Sequence, residues 1–138
     1  MRILTISITI EYKRNRTREI HPTATVTASL AGVRTDTTTG TARGGGYDKP
    51  SAAVCYAFCE NPLLQTLLLW DGWNTDPEEY ESGVVRDHEW SFDGLGMSTL
   101  LSHLRANGFT ATEESNKRGS TTEIVATRDM PNSFVSLV

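Results

Sequence analysis

Long apolar runs are missing from this sequence. None approaches the roughly 18 residues that a membrane-crossing helix requires. The N-terminal stretch MRILTISITIEYK alternates polar and apolar residues instead of forming the continuous apolar segment of a secretory signal, so a cytoplasmic protein is expected. Cysteine is scarce. Cys55 and Cys59 stand four apart in a helical pattern, on one face, where their side chains run parallel and a disulfide would constrain almost nothing. They read as small core residues of a reduced protein. Aromatics are only 8% of the chain, and a uniformly basic nucleic-acid footprint is lacking.

Motifs that announce catalysis are lacking as well. There is no Gly-Lys pair for a phosphate-binding loop and no GxSxG around Ser98. His21, His88 and His103 are isolated, without the HxxxH or HExxH spacing of a zinc site. The acidic residues do not form the DxDxDG pattern of a calcium loop. No catalytic residue, cofactor or metal is expected.

What is present fits one α+β domain over residues 1–138, with 38% apolar and 22% charged residues. Arg2 to Lys13 places Leu4, Ile6, Ile8, Ile10 and Tyr12 on one face and Thr5, Ser7, Thr9 and Glu11 on the other, which predicts a half-buried strand. A charged connection, Lys13 to Glu19, leads to a second strand over Thr23 to Leu30. After a turn over Ala31 to Asp36, a third strand, Thr37 to Arg43, is Thr-rich and poor in apolar residues, which suits a sheet edge or the neighbourhood of a site.

Ser51 to Glu60 predicts a helix with Val54, Ala57 and Phe58 inward. Asn61-Pro62 supplies a cap and a first-position proline for a second helix, LLQTLLLW. Residues 71–93 form a long acidic loop without clean period. Met97, Leu100, Leu101 and Leu104 mark a third helix that stops at Asn107-Gly108. A hairpin over Phe109 to Glu114 and Thr121 to Thr127 follows, and then an apolar tail, MPNSFVSLV, that docks on the body or adds an edge strand. The order β-β-β-α-α-loop-α-β-β predicts an antiparallel sheet of about five strands with helices packed on one face. Its Thr-rich outer side suits a face exposed to water.

Charge is unevenly placed. Residues 1–49 hold eight basic and four acidic residues, whereas residues 50–93 hold nine acidic residues and only Arg86. Two candidate sites follow. The first is the strand-to-helix junction Arg43, Gly44, Gly45, Gly46, Tyr47, Asp48 and Lys49. Three glycines permit positive φ and close backbone approach, and a helix N-terminus flanked by Arg43 and Lys49 favours an anion. A dinucleotide fingerprint would require glycine where Lys49 stands. A tight corner capped by Asp48 or Ser51, an anion pocket and a contact for a partner protein remain open readings. The second candidate is the acidic loop, in which Trp73, Asp76, Glu78, Glu79, Tyr80, Glu81 and Trp90 combine aromatic and acidic groups. It is either a solvated loop or a surface that meets a basic groove. Lys13, Arg14, Arg16 and Arg18 form a basic connection that could instead touch phosphate.

The stretches ARGGGYDKPSAAVCYAF and GLGMSTLLSHLRANGF, roughly residues 37–60 and 94–112, resemble small proteins of bacterial phages and mobile elements. In these a thin Thr-rich strand runs into a Gly-Gly-x-Tyr-Asp-Lys turn and an Ala-rich helix. The resemblance implies a non-enzymatic inhibitor of a host defence system, anti-CRISPR-like, acting by protein–protein binding inside an infected or lysogenic bacterium. Its expected partner is a host defence protein such as a CRISPR effector nuclease. A nucleotide-binding or nucleic-acid-binding module is the alternative.

Overall fold

Alternation of β-branched residues with threonine builds the centre of the molecule. The computed structural model describes residues 1–14, 20–41, 50–71, 97–115 and 121–138. Its strands are β1 (Arg2–Arg14), β2 (Ile20–Leu30), β3 (Arg34–Thr41), β4 (Thr110–Ser115) and β5 (Thr121–Met130). All pairings are antiparallel, and the five-stranded sheet has the order β3-β2-β1-β5-β4. The helices are α1 (Pro50–Glu60), α2 (Pro62–Asp71), α3 (Met97–Ala106) and α4 (Asn132–Val135). The chain is thus α+β. None of the described helices is long and apolar enough to cross a membrane.

One face of the sheet is the core. Leu4, Ile6, Ile8 and Ile10 of β1 are buried beside Ala24, Val26, Ala28 and Leu30 of β2 and Ile124 and Ala126 of β5. Each of the large aliphatic side chains contributes about 1.5–3 kcal/mol by leaving water. Ala53, Val54, Ala57 and Phe58 of α1 and Leu63, Leu64 and Leu67 of α2 complete this cluster with Leu104 of α3. Small residues dominate where α1 meets β2 and β3. Gly40 is paired with Ala24, and α1 passes over it with no room for a side chain: a Cβ on Gly40 would stand 2.7 Å from the Ala57 nitrogen.

Several element boundaries differ from the sequence expectation, and the structure chooses between the two readings of the tail. The third strand starts at Arg34 rather than Thr37. Gly32 adopts φ 72°, and the Val33 N–H bonds the Leu30 carbonyl at 2.9 Å. This reversal is complete within Ala31 to Val33, so pairing resumes at once with Arg34 opposite Leu30. Arg14 is strand rather than connection, and the second strand starts at Ile20 rather than Thr23, because the β1–β2 ladder continues through Lys13 opposite His21 to Arg14 opposite Ile20. The apolar tail does not add a strand. Beyond Met130 it turns into α4 and buries Phe134, whose ring meets Trp70 edge-on at 5.4 Å between centroids.

Candidate functional site at the open edge of the sheet

The face opposite the core is a field of hydroxyls. Strand register aligns Thr35, Ser29, Thr5, Thr127 and Thr110 in one row across all five strands. The next rows are Thr37, Thr27, Ser7, Val125 and Thr112, then Thr39, Thr25, Thr9, Glu123 and Glu114. Between β2 and β3 the hydroxyls bond each other: Ser29 to Thr35 at 2.8 Å, Thr27 to Thr37 at 3.1 Å and Thr23 to Thr41 at 3.5 Å. Threonine suits this place twice over. Its branched Cβ favours an extended backbone, and its hydroxyl pairs across the strands.

At β3 this face meets an edge that is unpaired among the described residues. The Ala31 N–H donates to the Ile3 carbonyl at 3.0 Å, which makes these two a hydrogen-bonded pair in the β1–β2 ladder. Backbone groups alternate in direction along a strand. The odd residues of β2 therefore bond β1, and its even residues bond β3. Arg34, Asp36, Thr38 and Gly40 face those even residues in the register. The N–H and C=O groups of Thr35, Thr37, Thr39 and Thr41 consequently point away from the sheet. The same four side chains are exposed. Among the described residues no strand pairs with this side of β3.

The edge is held rigid from behind. Thr38 Oγ1 donates to the Ala57 carbonyl at 2.6 Å, satisfying one of the orphan carbonyls in the last turn of α1. Asn61, fully buried between the two helices, donates from Nδ2 to the Asp36 carbonyl at 3.1 Å. Its Oδ1 accepts the Leu64 N–H at 3.2 Å, the cap expected of an Asn-Pro helix start. Asp36 Oδ2 accepts the Leu63 N–H at 3.1 Å and pairs with Arg34 Nε at 2.9 Å. A carboxylate is well placed there, beside the positive end of the α2 dipole. Every inward residue from Asp36 to Gly40 is thereby fixed against α1 or α2.

The two sheet edges differ chemically. β4 is six residues long and carries Glu113 and Glu114; Glu114 lies opposite Glu123. Glu114, Glu123 and the neighbouring Ser115 and Thr121 line an open pocket of about 230 Å³. Like charges on an edge oppose strand addition. β3 carries no charge, proline or bulge from Thr37 to Thr41.

The residues singled out from the sequence lie elsewhere. Arg43, Gly44, Gly45, Gly46, Tyr47, Asp48 and Lys49, and Trp73, Asp76, Glu78, Glu79, Tyr80, Glu81 and Trp90, are all outside the described residues. So are Arg16, Arg18, His88 and Ser98's neighbours Gly94 to Gly96, as are the side chains of Cys55, Cys59, His21 and His103. No group of His, Cys, Asp or Glu among the described residues could hold a metal ion. Sequence reasoning saw β3 as a Thr-rich edge but missed Asp36 and Gly40 as its anchors. The available signal was the period-two placement of Asp36, Thr38 and Gly40, which stand opposite Ala28, Val26 and Ala24 of β2.

Comparison with protein-family models, with curated proteins and with solved structures gives no match.

Proposed function

We propose that this chain works by binding another protein, without catalysis, and that β3 is an edge that receives an added strand. The observation behind the proposal is the outward-facing backbone of Thr35, Thr37, Thr39 and Thr41 on an uncharged edge braced by Asn61 and Asp36. An extended segment added to such an edge gains main-chain hydrogen bonds without rearrangement of the sheet. In this reading the elements run β-β-β-α-α-loop-α-β-β, and the helices form one layer on the apolar face. The sheet then has one face for the core and one edge for a partner.

The resemblance supplies the class of partner: a host defence protein, with a CRISPR effector nuclease first, met in the bacterial cytoplasm. The junction at Arg43 to Lys49 and the acidic aromatic loop would add contacts. Co-purification with effector nucleases, type II first, tests the proposal, together with inhibition of target cleavage. Expected is a stable complex whose formation blocks target cleavage. Failure to bind or inhibit any effector across several types would remove the defence-inhibitor reading.

A further inference from the structure

The chemistry of the β3 edge selects an occupant. Resting on the reading that this edge receives a strand, we infer that the strand is the β3 of a second copy, joined antiparallel about a two-fold axis normal to the sheet.

The argument is self-complementarity. An isologous contact requires a surface that matches itself. The outward residues of β3 are all threonines, so in any register that keeps hydroxyls on one face a threonine meets a threonine. One register engages all four: Thr35 against the second copy's Thr41 and Thr37 against its Thr39, each pair repeated by symmetry. Those are the residues whose N–H and C=O groups point outward, so every pair closes both of its main-chain bonds. The hydroxyl pairing already present between β2 and β3 at Thr27–Thr37 and Ser29–Thr35 then continues across the axis.

Charge agrees. In this register Asp36 lies opposite Gly40 of the second copy, so no carboxylate meets another. The Arg34–Asp36 ion pair at 2.9 Å stays within each chain. The opposite edge could not do the same, because the two-fold register that engages its outward residues Ala111, Glu113 and Ser115 sets Glu113 against Glu113 of the second copy. One edge of the sheet thus pairs with itself and the other repels itself, which closes the assembly at two copies and does not extend it into a filament. The product is a continuous sheet of two five-stranded halves, with the hydroxyl faces joined on one side.

Light scattering on the eluting full chain, from micromolar to millimolar, tests this. The expected result is a mass of twice the 15.2 kDa chain, falling toward one chain on dilution. Thr37→Pro is the informative variant. Among the described residues the Thr37 N–H has no strand partner, and proline is tolerated on the open side of an edge strand. The variant should keep the wild-type circular dichroism and raise the dissociation constant at least about tenfold. A folded variant that dimerises as tightly as the wild type overturns the inference. If the variant does not fold, amide exchange of the wild type decides. Protection of Thr35, Thr37, Thr39 and Thr41 that grows with protein concentration supports the second copy, and protection independent of concentration overturns it. A monomeric wild type also overturns it. If a monomeric wild type binds a defence protein that Thr37→Pro no longer binds, the strand-receiving edge survives and only its occupant changes.

Discussion

Gly40 faces the carbonyl of Ala53 with no space for a methyl group between them. A Cβ at Gly40 would enter that oxygen and reach to 2.7 Å from the Ala57 nitrogen, both of them helix backbone. Strand β3 and helix α1 are therefore in backbone contact, and this contact sets how closely the helix lies on the edge of the sheet.

Gly40→Ala should accordingly be severe. The clash is with main chain that cannot rotate away, so α1 must lift from β3. Overpacking of this kind costs about 1–3 kcal/mol, and the rigid neighbours place it at the upper end. Urea unfolding of the purified variant measures the loss.

Gly32→Ala offers the contrast. Here φ is 72°, and an added Cβ would approach Arg2 Nη1 at 2.7 Å. The neighbour is the end of a flexible side chain that can swing aside, at the expense of its 2.8 Å hydrogen bond to the Ala31 carbonyl. What remains is the cost of a left-handed residue, about 1–2 kcal/mol. In the same urea series Gly32→Ala should lie above Gly40→Ala in stability; the reverse order would mean that the turn, rather than the helix contact, governs β3.

Asn61 carries two separable jobs, holding Asp36 through Nδ2 and capping α2 through Oδ1. Asn61→Ala removes both and leaves buried groups unpaired, a loss of about 1–3 kcal/mol. Asn61→Ser keeps a capping oxygen while surrendering the bond to the Asp36 carbonyl, so it should fall between alanine and wild type in thermal unfolding. Equal losses for the two variants would assign the whole effect to the strand contact.

Phe134 is the anchor of the C-terminal tail, fully buried and edge-on to Trp70. Phe134→Ala should cost about 3–5 kcal/mol, the range for removing a buried aromatic. Because Trp70 loses its ring neighbour, near-ultraviolet circular dichroism should change as well. A variant that retains both stability and spectrum would show that the tail is not part of the folded body.

Much of this was legible along the chain. The alternation of Leu4, Ile6, Ile8 and Ile10 with Thr5, Ser7 and Thr9 is a local signal, because a strand sends successive side chains to opposite faces. The Asn61-Pro62 helix start and the Asn107-Gly108 stop are equally local; Gly108 does adopt φ 85°. The start of β3 was misplaced because Arg34, Thr35 and Asp36 look like turn residues, and only the reversal at Gly32 returns them to the ladder. The tail was ambiguous because an apolar segment of that length suits a strand or a docked helix equally.

The sequence by itself determined the main strands and helices and which face of each is apolar, since those properties depend on the order and spacing of neighbouring side chains. Only the tertiary structure decided that β3 lies at the rim, that Gly40 must be glycine, and that Asp36, Thr38 and Asn61 form one bonded group. Those facts depend on contacts between residues distant in sequence, such as Gly40 with Ala53, Thr38 with Ala57 and Asp36 with Leu63. Strand order fixes which backbone groups are left over, and no local pattern along a strand records the identity of its neighbours.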